Sequence, residues 1–568
     1  MRTPSSRSNT PFYLFGLVLV LAFLIRVTGV ERFPPGLWFD EGLNGVDAWR
    51  TIQDGQWRLV YPEVFPREPL MIWILSLVLG IGGPDVLIMR LTLIAVGSLA
   101  CAAFFGMIRS LRRDVDPGPA LAAAFVLCAL HWHAWFSRLI FRTNLVPLLA
   151  CLLVWMISLA ARRRGRGAAG LFLWIFAGAL AGLGFYTYLS WYFFTPVVLV
   201  WLWALRSRNE YEEDLEGDVA YLGRGRRQAI PLLCFFGAAV LVALPLFMHY
   251  AMAPQDIASR PQAVSPFANG YGEGLRLMLR NARDVALMFS IRGDHVPLHN
   301  VAEIVAPGDP RFGKTGSPIL DPAWSVFFWA GLATTFWRVF RRRGDWRIDA
   351  AWLAWLFCMS LPSVVTQTDS ANMLRNLGAV PAVAWLTASG FGFLREKAGR
   401  APERFRVPLQ ALLLLALVWG GAFQAHKLMV RHPNVRGIAD RFNAINVHLA
   451  QLTRPDPNGA LLFVPEMFMN KTFEFLTLRR NDIRAFGPQS ALGRPAEGPL
   501  VDHRVLCTNY DMNHAMLQRI FPNGRVEDER LLLGDQLFAW VFRIPAESLL
   551  PPEEAQRWAQ SWPRPGVR

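Results

Sequence analysis

Adjacent carboxylates, Asp40 and Glu41, stand in the segment Glu31-Arg-Phe-Pro-Pro-Gly-Leu-Trp-Phe-Asp40-Glu41-Gly, about ten residues beyond the first long apolar run. The Pro-Pro-Gly turn stops a helix, and Trp38-Phe39 can hold the acidic pair at the level of lipid headgroups. A carboxylate so placed could accept a proton from an incoming hydroxyl or amine. The competing reading is a pair of solvated loop carboxylates.

Further along, Phe65-Pro-Arg67-Glu68-Pro69-Leu70 sets a cation beside an anion. The planar guanidinium of Arg67 could donate two parallel hydrogen bonds to a carboxylate or phosphate, or it could simply snorkel at an interface. A third cluster, His131-Trp-His133-Ala-Trp-Phe-Ser137-Arg138-Leu-Ile-Phe-Arg142, places two histidines and two arginines at the end of an apolar run. Such groups are costly in lipid and should face a protein cavity. His131 and His133 are two residues apart and fall on different helix faces, which argues against a shared metal site. Arg138 and Arg142 are the better candidates for a phosphate pocket. The segment Ile291-Arg-Gly293-Asp294-His295-Val-Pro-Leu-His299-Asn300 offers Asp294, His295 and His299, which could bind a metal or recognise sugar hydroxyls. Finally, Asn372-Met-Leu-Arg375-Asn-Leu-Gly378 carries Arg375 into an apolar run.

The elements that must position these groups are membrane helices. The chain has 568 residues, 53% of them hydrophobic, with a positive mean hydropathy; this is more apolar surface than one soluble core can bury. The net charge of +15 does not form one basic face of the kind that binds nucleic acid, because the arginines cluster between apolar runs. A span needs roughly 20 apolar residues, at about 1.5 Å per residue across about 30 Å of hydrocarbon. Eleven segments qualify: 11–30, 87–108, 119–136, 143–161, 168–188, 190–205, 229–250, 323–340, 349–365, 376–394 and 407–424. The first follows Arg2 and Arg7 with no small-residue cleavage site after it, so it is expected to be an uncleaved signal anchor.

Residues 70–83 reach only about 21 Å as a helix. If they do not cross, then Arg2/Arg7, Arg109/Arg112/Arg113, Arg162–Arg166, the 206–228 loop, Arg341–Arg343 and the 395–406 set all fall on the cytoplasmic side, as the positive-inside bias requires. The segment is therefore expected to lie along the outer membrane surface, with Trp73 as an anchor. This topology gives an N-terminus in the cytoplasm, a transmembrane domain over 1–424 with outer loops at 31–86 and 251–322, and an extracytoplasmic domain over 425–568. The fold class expected is thus an α-helical polytopic membrane protein with a C-terminal α/β domain. Strands are expected at 460–464, 504–508 and 536–544, and helices at 436–452 and 512–520. Five of the six cysteines lie in apolar runs and only Cys507 in a polar region, so no disulfide framework or CxxC metal site is readable.

These parts suit a reaction at headgroup depth. A polyprenyl-phosphate sugar keeps its tail in the bilayer and its reactive carbon at the boundary. Transfer from it needs a base for the acceptor, a cationic pocket for the leaving phosphate, and shielding from water. No Walker loop or Rossmann glycine fingerprint suggests a nucleotide-driven machine. Two rival readings, a polytopic transporter and a non-catalytic envelope scaffold, remain. Against the first, the ionisable residues gather at one boundary, and no inverted repeat is evident. Against the second the fold alone says nothing.

The chain resembles the GT-C superfamily of membrane glycosyltransferases, in particular the family 39 branch containing protein O-mannosyltransferases and the aminoarabinose transferase acting on lipid A. The matching pieces are Trp38-Phe-Asp40-Glu41-Gly, Arg67-Glu-Pro69-Leu, Phe136-Ser-Arg138 with Phe141-Arg142, Gly293-Asp294 with His299-Asn300, and Leu374-Arg375 with Gly378. The resemblance runs over about residues 11–395. It implies an inverting-type transfer from a polyprenyl-phosphate sugar donor to an extracytoplasmic protein, lipid or glycan acceptor, with Asp40 as base, Glu41 assisting, and Arg138, Arg142 and Arg375 lining the donor site. No cofactor is required by the sequence, and a divalent metal is compatible with it. Protein mannosyltransferases carry His-Pro-Pro near the position of Arg67-Glu68-Pro69, and the lipid A enzymes carry Glu-Lys-Pro, so the acceptor class does not transfer from either.

Overall fold

Each of the eleven apolar runs is helical over most of its length in the computed structural model, which describes residues 10–112, 116–162, 167–215, 224–305, 309, 314–368, 370–495, 498–508, 514–532 and 537–561. The basic residues Arg2, Arg7, Arg113, Arg163, Arg164 and Arg166 lie outside the described residues, as do 216–223 and the side chains of 206–228. The helices are α1 (Thr10–Val27), α2 (Phe39–Asp54), α3 (Leu70–Gly82), α4 (Val86–Leu111), α5 (Gly118–Ala129), α6 (His131–Phe136), α7 (Leu145–Arg162), α8 (Gly167–Leu183), α9 (Thr195–Leu215), α10 (Arg224–Met252), α11 (Gln255–Ala263), α12 (Tyr271–Met288), α13 (Pro322–Arg341), α14 (Trp346–Val364), α15 (Val380–Gly399) and α16 (Glu403–His426). Smaller helices α17 (Ile438–Arg441), α18 (Ala444–Leu452), α19 (Lys471–Leu476), α20 (Pro488–Leu492), α21 (His514–Ile520) and α22 (Pro552–Ser561) accompany strands β1 (Leu461–Pro465), β2 (Ile483–Phe486), β3 (His503–Thr508), β4 (Arg525–Leu532) and β5 (Leu537–Ile544).

Among the described residues, six helices are long and apolar enough to cross a membrane, in the segments Val86–Leu111, Arg142–Arg162, Ala168–Tyr186, Ala229–Met252, Leu377–Gly399 and Glu403–Arg431. Phe12–Val27, Gly118–Ala129 and Leu189–Leu205 are apolar but shorter. The expected span 119–136 is broken at Leu130, whose backbone leaves the helical region. There the Gln424 side chain supplies the missing acceptor, its Oε1 receiving the His131 N–H at 3.1 Å. The acidic pair expected in an open loop sits instead in the first turn of α2, and the long loop at 251–322 contains α11 and α12.

The chain divides into two units. The first comprises Met1–Arg32, Gln56–Leu75 and Met89–Arg436, and the second Phe33–Gly55, Ser76–Ile88 and Gly437–Arg568. Two stretches of the expected first outer loop thus belong to the second unit.

Within the first unit, α4, α7 and α15 are buried along most of their apolar length, whereas the apolar windows of α10 and α16 are only 22% buried. Their exposed leucines, valines and aromatics form a surface that suits lipid rather than water. Helices cross closely where glycine removes the side chain. A Cβ on Gly331 or Gly390 would lie about 1.9 and 1.8 Å from backbone carbonyls of α15 and α13, and Gly178 and Gly182 of α8 meet α10 in the same way. Tryptophans fill the centre. Trp352 stacks on Trp355 and Trp385 at 5.3 and 5.5 Å, with Trp201 edge-on.

A buried arginine ties α1 to α4, α5 and α6. Arg26 of α1 donates through Nε to Ser137 (3.1 Å), through Nη1 to the carbonyls of Ala22 (2.9 Å) and Cys128 (3.3 Å), and through Nη2 to Cys101 Sγ (3.3 Å) and His133 Nδ1 (2.7 Å). All five guanidinium N–H groups are therefore used, which is what a fully buried cation requires. Gly97 leaves the room, since a Cβ there would reach within 2.1 Å of Ser137 Oγ. Arg26→Ala is expected to lower stability by roughly 3 kcal/mol or more, leaving a void and orphaned acceptors. Arg26→Lys should recover little of it, because an ammonium has three donors and no planar fork. Thermal unfolding of the detergent-solubilised variants measures both.

In the second unit, a five-stranded sheet runs in the order β2-β1-β3-β5-β4, with β1 parallel to β2 and β3, and β5 antiparallel to β3 and β4. Alternation along the strands sends side chains to two cores. Phe463, Val505, Cys507, Trp540 and Phe542 pack with Leu492 of α20, Leu517 of α21 and Ala555 of α22. Leu462, Val464, Leu506, Ala539 and Val541 pack with Leu449 of α18 and Phe473 of α19. The C-terminal part is accordingly an α/β layer structure with helices on both faces. The expected strands at 460–464, 504–508 and 536–544 match β1, β3 and the described part of β5; residues 512, 513 and 536 lie outside the described residues.

Candidate active site

The first unit gathers guanidinium groups around one carboxylate. A narrow ladder between Tyr61 and Arg67, with N–H to carbonyl distances of 3.0 and 2.9 Å, closes the turn that presents Arg67 and Glu68. Val60, on this strap, packs with Tyr186, Leu246 and Tyr250, and the Trp73 ring lies against Tyr186 at 5.7 Å, the planes tilted by 43°. Glu68 is buried and pairs with Arg142, which precedes α7. Burial raises the Glu68 carboxyl above the usual carboxylate range, with Arg142 and Arg67 opposing the shift. The Arg142 guanidinium lies over the ring of Tyr188, 5.7 Å from its centroid. Arg375, Arg260 and Glu68 are also near enough to act electrostatically on the Tyr188 hydroxyl. Arg260 rests in turn on the Phe65 ring at 4.7 Å.

Loop geometry fixes these groups. Arg375 Nη1 donates to Thr366 Oγ1 and to the Thr368 carbonyl, each at 2.6 Å, and the Arg375 N–H is received by Asn372 Oδ1 at 3.0 Å. Thr143, next to Arg142, donates to the Leu374 carbonyl at 3.2 Å, so the two arginine-bearing loops are joined. Arg142 thus pairs with Glu68 and its loop is joined to that of Arg375, while Tyr188 and Arg260, which the sequence reading missed, lie within electrostatic reach of this group. The Tyr186-Thr-Tyr188-Leu-Ser-Trp-Tyr192 run at the end of an apolar segment was the available signal.

The other expected site residues have different partners. Asp294 Oδ2 accepts His299 Nδ1–H at 2.8 Å and the Met373 N–H at 2.7 Å, while Oδ1 accepts the Val296 N–H at 2.8 Å. Asn300 Nδ2 donates to the carbonyls of Asp294 and Ser317. A carboxylate engaged three times in this way ties two loops together. Among the described residues, no three His, Cys, Asp or Glu side chains form a group that could hold a metal ion.

Arg138 Nη2 donates to the carbonyls of Ile25 (3.1 Å) and Thr28 (2.7 Å), closing the C-terminal end of α1. Burial, with Arg26 and Arg90 nearby, brings its guanidinium down to about 10. His131 Nε2 meets His432 Nδ1 at 3.1 Å, and His432 Nε2 reaches the Pro297 carbonyl at 2.8 Å. Burial lowers His432 to about 3 against that hydrogen bond, so its ring is neutral, with the proton on Nε2.

In the second unit, the Trp38 N–H donates to Glu41 Oε2 at 2.8 Å, so Glu41, fully buried, starts α2 from its third position. Asp40 occupies the second position and is exposed. The two carboxylates are therefore distinct in kind: Glu41 is engaged in the backbone, and Asp40 faces outward.

No protein-family model matches this chain, and no curated protein matches it in sequence. Among solved structures it is similar to the archaeal oligosaccharyltransferase AglB from Archaeoglobus fulgidus in complex with an inhibitory peptide and a dolichol-phosphate, at 13% identity and a TM-score of 0.48; the match covers 85% of this chain and 65% of that one. The chain therefore spans just under two thirds of the length of that oligosaccharyltransferase. It is also similar to ArnT from Cupriavidus metallidurans bound to undecaprenyl phosphate, at 12% identity and a TM-score of 0.47, over 96% of this chain and 100% of that one.

Proposed function

We propose that the chain is a membrane glycosyltransferase that moves a sugar from a polyprenyl-phosphate donor to an extracytoplasmic acceptor, with Asp40 taking the acceptor's proton. The observation that carries the reading is Arg142, paired with buried Glu68 and lying over the Tyr188 ring, with Arg260 and Arg375 within electrostatic reach of the Tyr188 hydroxyl. A surplus of fixed cations in a partly dehydrated pocket suits a phosphate whose charge grows as the sugar leaves. Glu68 holds Arg142 in place, and Thr366 and Thr368 hold Arg375, so the pocket is organised before the donor arrives. Arg67 supports Glu68 electrostatically. His131, Arg138 and Asp294, with His295 and His299, are proposed to shape the surrounding loops.

The motif resemblance to the GT-C superfamily supports the donor class and the role of Asp40. We place the protein in the plasma membrane, as a multi-pass chain with its N-terminus in the cytoplasm and its α/β unit outside. The test is mass spectrometry of lipid-linked sugars and envelope glycans in a deletion strain. Accumulation of one polyprenyl-phosphate sugar with loss of one glycan is expected, and would name both substrates. An unchanged lipid-linked pool with unchanged glycans would favour the scaffold reading instead.

A further inference from the structure

The α/β unit contains the Asp40 segment, and its contacts fall on both sides of the acid. Before Asp40, the Leu37 carbonyl accepts from Thr472 Oγ1 at 2.9 Å and from Asn443 Nδ2 at 3.3 Å. Asn443 Nδ2 also donates to Thr472 Oγ1 at 3.1 Å, so the three groups form a closed set. Thr472 is fully buried. Asn443 has φ +49°, a left-handed conformation that asparagine tolerates better than most residues. A Cβ on Gly36 would stand 2.2 Å from the Phe442 carbonyl, so the chain passes here in direct backbone contact.

After Asp40 the same partners recur. A Cβ on Gly42 would stand 2.6 Å from the Lys471 carbonyl, bringing α2 against α19. One turn or more later, Arg50 pairs with Glu474 at 2.6 Å, and Glu474 is held by Lys471 at 2.9 Å. Arg479 lies over the Trp49 ring at 5.9 Å. Residues 36, 37, 42, 49 and 50 are therefore pinned to 442–443 and 471–479, and exposed Asp40 lies between the anchors.

We infer that the α/β unit is the positioning device of the Asp40 carboxylate, with Thr472 and Asn443 as positioning residues that fix the Leu37 carbonyl three residues before it. The inference rests on the base role proposed for Asp40, but its geometry can be tested independently. Thr472→Val keeps the shape of the side chain and removes the hydroxyl donor. Thr472→Ser restores it. Asn443→Gly retains the left-handed backbone while deleting the amide, and serves where the valine variant fails to fold.

The experiment is hydrogen–deuterium exchange on the full detergent-solubilised chain, read over residues 37–43 and over β1, β3 and β5. Thr472→Val and Asn443→Gly are expected to speed exchange at 37–43 by about tenfold, the loss of one buried hydrogen bond, with the strands unchanged and Thr472→Ser close to wild type. In a complemented deletion strain the same two variants should lower glycan product by about tenfold, and Thr472→Ser should restore it. Unchanged exchange at 37–43 in both variants, or a serine variant as defective as the valine one, would overturn the positioning role. Should the wild-type chain restore no glycan, the glycosyltransferase reading fails while the exchange data still decide whether the α/β unit holds this segment.

Discussion

Asp40→Asn is expected to reduce sugar transfer by about 10²- to 10⁴-fold while leaving membrane insertion and thermal stability unchanged. The amide keeps the size of the carboxylate but cannot take a proton from the acceptor, and a positioned general base contributes a factor of this order. Stability should move by less than about 0.5 kcal/mol, because Asp40 is exposed on the first turn of α2 and no buried group depends on it for packing. Glu41→Gln supplies the contrast. The Gln side-chain carbonyl can still accept the Trp38 N–H that Glu41 Oε2 receives, so helix initiation survives and the loss of transfer should be small. Transfer rates measured at saturating lipid-linked donor, alongside melting curves, separate the two carboxylates. Equal losses at both positions would mean that the pair acts through α2 as a whole, and full retention in Asp40→Asn would remove that residue from the chemistry.

The helical part of this fold was legible because its signal is long and strong. Runs of about 20 apolar residues between arginine clusters leave little choice, and each is helical over most of its length. What the runs do not encode is where a helix is interrupted. The break at Leu130 depends on Gln424, nearly three hundred residues away, lending an acceptor to the His131 N–H. The α/β unit was half legible. β1, β3 and β5 are apolar enough to read, but β2 is only Ile-Arg-Ala-Phe and β4 carries Arg525, Glu527, Asp528, Glu529 and Arg530, as an edge strand facing water does.

Residue type put Glu68, Arg142 and Arg375 among the candidates, because charged groups at the ends of apolar runs must find partners. It could not say which partners. Asp294 and His299 hydrogen-bond to each other, and Arg138 donates to the carbonyls of Ile25 and Thr28. In the sequence Arg26 is one cation in an apolar run, and Tyr188 one aromatic among many. Their importance comes from contacts 75 to 111 residues away in the first case, and from Arg142 over the ring with Arg260 and Arg375 in electrostatic reach in the second.

Arg142→Gln should lower transfer by about 10²- to 10³-fold, the usual cost of removing one preorganised charge-stabilising donor. The same change also strands Glu68, so activity and stability must be separated. Burial already raises the Glu68 carboxyl, and the Arg142 charge opposes that shift. Without Arg142 the folded-state value rises further above the unfolded one. The sign then follows: a carboxyl raised in the folded state is most stable below its unfolded value, and that stability is lost as pH rises through the folded value. The Arg142→Gln chain should therefore melt progressively earlier as the buffer is taken from acid toward neutral pH. Adding Glu68→Gln removes the titrating group, so the double variant should regain its melting temperature at neutral pH and lose the pH slope. Transfer should remain low in the double variant, because the phosphate pocket still lacks the Arg142 cation. Recovery of transfer together with stability would show that Arg142 serves only to neutralise Glu68, and that the leaving phosphate draws on other groups.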